Sequence, residues 1–176
     1  MRFIETSLAG ALLIDIEPAL DERGLFARTY CEREFAAHGI SCRFVQCNTS
    51  YNRRKHTLRG LHYQVEPSAE DKLVRCARGA VYDVIVDLRP NSPTRLFWFA
   101  ADLTEHNRRA VFVARGFAHG YKTLVDDSEV CYQVSAFYDP AAGRGVRWND
   151  PRLAIEWPPG EPILSDRDRV FPDLVE

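Results

Sequence analysis

The chain has 176 residues, of which 45% are apolar and 27% charged, a composition typical of one globular domain with a sizeable core. Its net charge of −2 argues against a general nucleic-acid binder. The 5 cysteines are odd in number and lack CxxC spacing, which argues against a disulfide scaffold or a structural zinc site. We expect reduced thiols in the cytoplasm and no membrane partner, because no signal pattern or membrane-spanning apolar run occurs.

The first half of the chain contains one helical signal among several strand signals. The segment YCEREFAAHG predicts a short helix that ends at Gly39. Two β-rich runs in KLVRCARGAVYDVIVDLRP flank Gly79 and predict a hairpin. In the second run, alternation divides the side chains between two apolar faces, one of which carries Asp83.

The second half continues the strand pattern and ends in a proline-rich tail. RRAVFVARGFAHGYKTL predicts two strands with a turn near Arg115 and Gly116. SEVCYQVSAFYDP predicts a strand in which Tyr132 shares a face with Val130 and Val134. The tail WNDPRLAIEWPPGEPILSDRDRVFPDLVE is expected to cross the outside of the sheets in short turns. Short strands, turn glycines and little helix predict an antiparallel sandwich or barrel, in a single domain over residues 1–176.

Ionisable side chains interrupt these strands. His62, Lys72, Asp83, His119 and Tyr132 lie in β-patterned segments, where a buried polar group without a hydrogen bond costs about 1–3 kcal/mol. Taken singly, each has a structural explanation as a hydrogen-bonded core residue, an edge charge or a turn brace. Taken together, a histidine base, a lysine that stabilises an enolate oxygen and a tyrosine acid on the opposite side are sufficient to epimerise a carbon next to a ketone.

A metal-dependent cupin is a competing interpretation, since cupins are small double-stranded β-barrels. Their first metal motif has two histidines separated by one residue, and here Gln64 takes the place of the second histidine after His62. The segment ARGFAHG resembles the second motif, ending in His119, but lacks its proline. Two histidines and a candidate Glu66 or Glu70 make an incomplete ligand set, so we expect no metal and no cofactor.

Taken in order, the segments LRGLHYQ, KLVR, GFAHG and WNDP resemble the dTDP-4-dehydrorhamnose 3,5-epimerase family of the cupin superfamily. The resemblance runs nearly from end to end. It implies an all-β, cupin-type double-stranded β-barrel (jelly roll) with short peripheral helices. It also implies an isomerase that inverts C3 and C5 of dTDP-4-dehydro-6-deoxy-D-glucose, giving the dTDP-4-dehydro-L-rhamnose used for rhamnose in lipopolysaccharide and other cell-surface polysaccharides.

The resemblance assigns roles to particular residues. His62 would be the general base, oriented by Asp168, Tyr132 would be the general acid, and Lys72 would polarise the C4 keto oxygen. The further residues expected at the substrate are Arg23 and Arg59 on the pyrophosphate, Asp83 and His119 close to the substrate, Gln46, Asn48 and Arg167 on the nucleotide, and Phe26 and Tyr138 as aromatic lining of the sugar or base pocket. Family members dimerise, with the RGLF segment reaching the neighbouring site. The expected partners are therefore a nucleotide sugar and a second copy of the chain.

Departures from the family pattern fall on the nucleotide side. Arg28 stands where the family has an acidic residue, and Gly143 stands where it has a glutamate. The segment VQCNTS, with Cys47 and Thr49, replaces the usual VQDN-H-S. These changes leave the nucleotide and the sugar open, as well as whether one or both centres are inverted. A ketoisomerase, a metal-dependent cupin and a catalytically inert sugar-nucleotide binding module are competing functions for the same fold.

The segment LRGLHYQ poses a problem of geometry. Simple alternation puts Leu58, Gly60, His62 and Gln64 on one face of the strand and Arg59 on the other. If the His62 face lines the barrel, Arg59 would have to reach the phosphates around the barrel mouth.

Overall fold

The computed structural model describes residues 1–174, and these fold almost entirely as β-strands. The strands in chain order are β1 (Arg2–Glu5), β2 (Leu12–Asp15), β3 (Ala19–Asp21), β4 (Gly24–Phe26), β5 (Gln46–Asn52), β6 (Leu58–Gln64), β7 (Lys72–Arg78), β8 (Ala80–Asp87), β9 (Trp98–Thr104), β10 (Ala110–Val113), β11 (Phe117–Thr123), β12 (Ser128–Val134) and β13 (Gly143–Gly145). The helices are α1 (Glu32–Ala37) and α2 (Asp166–Arg169). Within the described residues, no helix has the length and apolarity to span a membrane.

The strands form two antiparallel sheets, and the chain alternates between them. The large sheet has the order β1-β2-β10-β7-β12-β5, and the small sheet has the order β13-β6-β11-β8-β9. Successive strands β5, β6, β7 and β8 therefore fall in the large, small, large and small sheet in turn. This is the predicted all-β jelly roll, and that prediction is confirmed.

The hairpin predicted around Gly79 is wrong. The strands β7 and β8 are consecutive, but β7 pairs with β10 and β12 whereas β8 pairs with β9 and β11. Gly79 turns the chain from one sheet into the other at φ +74°, and a Cβ there would lie 2.6 Å from Oγ of Ser128. Alternating hydrophobicity identifies a strand but does not specify its partner, which explains the error.

Three apolar clusters hold the layers together. The cluster between the sheets includes Val74, Val81, Ile85, Val111 and Val130, all buried. Outside the large sheet, α1 buries Phe35, and Gly39 follows the helix at φ +78°, as predicted. Outside the small sheet, the C-terminal tail packs Val146, Leu153 and Trp157 over the strands, which confirms its predicted course.

A β-bulge lies in the middle of β6 and resolves the problem posed by LRGLHYQ. His62 pairs with His119 and Arg59 pairs with Tyr121, so two residues of β6 lie opposite a single residue, Gly120. The extra residue reverses the alternation. Arg59 and His62 consequently point to the same, inner face, and the prediction that they lie on opposite faces is wrong.

Glycines make this bulge sterically feasible. Gly60 has φ +143°, and a Cβ there would lie 2.6 Å from Cα of Gly120. Leu61, the next residue, is fully buried in the cluster under the C-terminal tail. The close approach of β6 to β11 thus permits the bulge, which turns the exposed Arg59 side chain toward Asn52 on the large sheet.

Candidate functional site

A cavity of about 310 Å³ opens between the two sheets. It receives side chains from β5, β6, β7, β12 and α2, and from the segment before β13. Its lining consists of Gln46, Asn48, His62, Tyr63, Gln64, Glu70, Lys72, Tyr132, Val134, Tyr138, Gly143, Arg144 and Arg167. Most of the residues predicted at the substrate therefore meet in one place, although they are distributed over the whole length of the chain.

His62 and Asp168 form a close pair at the edge of this cavity. Nε2 of His62 lies 2.6 Å from Oδ1 of Asp168, and their side chains are 40% and 5% exposed. Burial raises the pKa of Asp168, but the hydrogen bond and charge of His62, with hydrogen bonds from Ser165 and the Gly60 backbone, outweigh it and hold that pKa below its usual value. A carboxylate next to Nε2 favours the neutral imidazole tautomer that carries its proton on Nε2. Nδ1 is then free to accept a proton.

The segment that carries Asp168 is anchored beside His62 by an aromatic ring. The backbone amide of Asp168 donates to Oγ of Ser165 at the start of α2. Phe171 follows α2, and its ring centroid lies 5.6 Å from that of His62. A Cβ on Gly145, which pairs with His62 across β13 and β6, would lie only 2.4 Å from Cζ of this ring. Because Gly145 has no side chain, the ring of Phe171 can occupy the space beside it.

Lys72 and Tyr132 enter the cavity from the large sheet. Nζ of Lys72 lies 3.1 Å from Oε1 of Glu70, and both side chains are about nine-tenths buried. Burial raises the pKa of Tyr132, the charge of Glu70 raises it further, and Arg59 opposes the shift. Burial and the charge of Glu70 thus both favour the protonated phenol. Since His62 belongs to the small sheet, an imidazole and a phenol line the cavity from opposite walls.

A second histidine–carboxylate pair lies beside the first. His119 pairs with His62 in the register of β11 and β6, and its Nε2 lies 2.8 Å from Oδ2 of Asp83. Both side chains are buried, and within residues 1–174 the other carboxylate oxygen, Oδ1, has no hydrogen-bond partner. His119 lies beside His62 on the adjacent strand, and neither member of the pair belongs to the cavity lining.

Arg59 is held by a residue that sequence reasoning missed. Its Nε donates to Oδ1 of Asn52 over 2.8 Å. The amide nitrogen of Asn52 donates to the backbone oxygens of Ser50 and Ser128, each over 3.1 Å, which fixes the orientation of the amide. Asn52 thus offers Arg59 an uncharged acceptor instead of a carboxylate. No motif marks Asn52, because its role depends on the bulge that turns Arg59 inward.

Two predicted residues lie away from the cavity of their own chain. Arg23 and Phe26 belong to the β3–β4 hairpin, whose strands pair only with each other among the described residues. Phe26 is 79% exposed, and the guanidinium of Arg23 pairs with Asp21 on the same hairpin. The structure therefore does not bring these side chains to His62 within a single chain.

The departures from the family pattern have separate structural settings. Arg28 pairs with Glu34 over 2.7 Å at helix α1. Gly143 lines the cavity, where a Cβ would lie 3.3 Å from Nη2 of Arg167. Gln64, which stands where a metal-binding cupin has a histidine, uses its amide to hold the segment after β12: Nε2 donates to the oxygen of Phe137 and Oε1 accepts from the amide of Asp139.

A jelly roll whose two sheets present a histidine and a tyrosine to one cavity is consistent with a sugar epimerase, and comparison with known proteins agrees with this class. Residues 5–176 match the dTDP-4-dehydrorhamnose 3,5-epimerase family. A member from Methanothermobacter thermautotrophicus is 44% identical over 99% of this chain and 95% of its own length. The crystal structure of the Bacillus anthracis enzyme, with TDP and PPi bound, superposes with a TM-score of 0.95 at 44% identity, covering 98% of this chain and 99% of that one. A dTDP-4-dehydrorhamnose 3-epimerase from Streptomyces niveus is 42% identical over 96% of this chain and 82% of its own length.

The chain belongs to the dTDP-4-dehydrorhamnose 3,5-epimerase family. The predicted family and the predicted enzyme class, an isomerase of the epimerase type, are confirmed.

Proposed function

We propose that this protein inverts C3 and C5 of dTDP-4-dehydro-6-deoxy-D-glucose, a nucleotide-linked 4-keto sugar, and releases dTDP-4-dehydro-L-rhamnose for rhamnose biosynthesis. One observation carries the proposal: the His62–Asp168 pair and the Tyr132 hydroxyl stand on opposite sheets, facing one cavity that also holds Lys72. The unpaired thiols of all 5 cysteines support a cytoplasmic location.

The proposed chemistry moves one proton off a carbon and another onto it. Nδ1 of His62 takes the proton from C3, and the electron pair of the broken C–H bond delocalises onto the C4 oxygen as an enolate. The Lys72 ammonium stabilises this oxyanion. Tyr132 then donates its proton to the opposite face of the carbon, which inverts the centre. Solvent removes the proton from His62 and restores that of Tyr132, and the same cycle at C5 completes the isomerisation.

Cationic side chains suit the cavity to a diphosphate. Arg144 and Arg167 lie on its lining, and Arg59 points inward from the bulge. Guanidinium groups bind phosphate oxygens through paired, charge-assisted hydrogen bonds. In this proposal Gln46, Asn48 and Tyr138 contact the nucleoside, and the His119–Asp83 pair lies beside the sugar. The TDP and PPi bound to the Bacillus anthracis relative support a ligand of this class.

A second copy of the chain completes the site in this proposal. The exposed β3–β4 hairpin would extend to the partner's cavity and supply Arg23 and Phe26. The edge strand β5, which carries Gln46 and Asn48, has a free side within the described residues and could receive it. Mixing H62A with F26A tests this: each variant alone should be impaired, and exchange of subunits should restore one intact site per mixed dimer.

Solvent deuterium exchange followed by NMR tests the reaction. Incorporation of two deuteriums with inversion indicates that both C3 and C5 react, and incorporation of one deuterium indicates that a single centre reacts. His62→Ala should abolish exchange, whereas His106→Ala, which removes a histidine that is 90% exposed, should not change it. Equal exchange rates for His62→Ala and wild type would refute the mechanism. Tight ligand binding without exchange would indicate a binding module, and stoichiometric iron, manganese or zinc would favour a metal-dependent cupin.

An epimerase that acts on one centre is the second candidate function. The Streptomyces niveus relative, a 3-epimerase, is about as similar to this chain as the relatives described as 3,5-epimerases. Gly143 and Arg28 alter the side of the site expected to hold the nucleotide. A panel of nucleotide 4-keto sugars in the same exchange assay separates these candidates by the number of deuteriums and by substrate preference.

A further inference from the structure

Glu70 is a carboxylate in a cavity that otherwise favours anions. It precedes β7, lines the same cavity as His62 and Tyr132, and its side chain is only 11% exposed. A nearly buried charge is costly unless it is paired, and Lys72 supplies the pair at 3.1 Å. Glu70 therefore takes part in the charge balance of the site, although its sequence position marks it only as a candidate metal ligand.

Charged and titratable groups approach Tyr132 from several elements. Lys72 begins β7, the strand next to β12, and Glu70 lies just before this strand. Arg59 comes from β6 of the opposite sheet, and Tyr121 comes from β11. His62 lines the same cavity. Of these groups, Glu70 is the carboxylate whose charge acts on the phenol, and Arg59 acts in the opposite sense.

From this arrangement we infer that Glu70 is a positioning residue, which holds the Lys72 ammonium in the cavity and keeps Tyr132 as the hydroxyl that returns the proton. The inference rests on the proposed function for its catalytic consequence. Its electrostatic basis is independent of substrate: ionised Tyr132 would be a second anion beside Glu70, and both the charge of Glu70 and burial raise the pKa of Tyr132. The same carboxylate also repels the diphosphate of a bound ligand.

Three variants test the inference. Glu70→Gln removes the charge at nearly constant shape, Glu70→Asp retains the charge on a shorter side chain, and Glu66→Gln makes the same chemical change at an exposed carboxylate outside the cavity lining. The first measurement is phenolate absorbance against pH, with Tyr132 isolated as the difference between each protein and the same protein carrying Tyr132→Phe. The second is affinity for thymidine diphosphate by calorimetry. The third is the pH profile of deuterium exchange.

Glu70→Gln should shift the phenolate midpoint of Tyr132 to lower pH and bind thymidine diphosphate several-fold more tightly. In the same variant, the decrease in the deuterium-exchange rate at alkaline pH should begin at a lower pH. Glu70→Asp should restore the phenolate midpoint, and Glu66→Gln should match wild type in all three assays. Thermal unfolding checks that each variant is folded.

An unchanged phenolate midpoint in folded Glu70→Gln overturns the inference, and so does an unchanged or weaker affinity for thymidine diphosphate. These two measurements need no turnover. If wild type exchanges no protons into any 4-keto sugar, the proposed function fails, while the midpoint and affinity still decide the role of Glu70. If wild type exchanges protons but Glu70→Gln keeps its midpoint and affinity, the inference alone fails.

Discussion

Asp168→Asn separates the orientation of His62 from its presence. Oδ1 of Asp168 lies 2.6 Å from Nε2 of His62. In the proposed mechanism, the carboxylate accepts the Nε2 proton and leaves Nδ1 as the base. A carboxamide of the same shape can instead donate its own N–H to Nε2. The imidazole proton would then move to Nδ1, which could no longer accept a proton from carbon. The variant would therefore keep His62 in place in the wrong tautomer.

The expected loss is about 10²- to 10⁴-fold in the rate of deuterium exchange, the range for removal of a general base. This corresponds to about 3–5 kcal/mol in activation free energy. The free energy of unfolding should fall by only about 1 kcal/mol, because the His62 side chain is 40% exposed and solvent screens the pair. The capping bond from the Asp168 amide to Ser165 involves the backbone and persists.

NMR of the exchange reaction, with thermal unfolding beside it, checks both magnitudes. Asp166→Asn is the matched control, since it makes the same change on the same short helix at an exposed position. A rate for Asp168→Asn within a factor of two or so of wild type would refute the assigned role of the pair. A large loss of stability would instead mean that the carboxylate serves mainly to hold α2.

Three further predictions concern Tyr132, the packing of Phe171 against Gly145, and the buried carboxylate of Asp87. Tyr132→Phe should still exchange deuterium through the base but lose inversion by about 10²- to 10⁴-fold, and equal loss of both would contradict separate acid and base roles. Gly145→Ala should unseat Phe171, since a Cβ would lie 2.4 Å from its Cζ; calorimetry should show about 1–3 kcal/mol of destabilisation, and an unchanged melting temperature would disprove the contact. Burial raises the pKa of Asp87, but hydrogen bonds from Arg89 and nearby hydroxyls bring it down to about 2. Because its folded-state pKa is depressed, Asp87 should contribute about 2 kcal/mol of stability above about pH 4, lost as the pH falls through 2; acid unfolding of Asp87→Asn should therefore lack this component.

Strand positions could be predicted from the sequence because they depend on local pattern, and several of the residues that line the cavity were predicted from the family resemblance. The period of two identified the runs around Gly79, and the resemblance to the family selected His62, Lys72 and Tyr132. Pairing partners could not be predicted, since the same alternation serves a hairpin and a crossing between sheets. The inward turn of Arg59 was also hidden, because a bulge needs the close approach of two glycines that are far apart in the chain.

Contacts made by the C-terminal tail could not be predicted from the sequence for a related reason. The motif identified Asp168, but nothing in it indicates that Phe171 occupies the space beside Gly145. Asn52 was missed because an asparagine at the end of a strand is common, and its value here comes from two backbone oxygens that orient its amide toward Arg59. Glu70 was considered only as a metal ligand, since its pairing with Lys72 depends on how the chain enters β7.

The crossing of the chain between sheets explains why this fold suits inversion of a carbon centre. An epimerase needs a base and an acid on opposite sides of one atom, and a hairpin would place consecutive strands on the same wall. Here β6 carries His62 on the small sheet and β7 begins with Lys72 on the large sheet, while β12 brings Tyr132 next to β7. The bulge in β6 then adds Arg59 to the inner face without displacing His62. The alternation between sheets that made the hairpin prediction wrong is thus the feature that sets His62 opposite Tyr132.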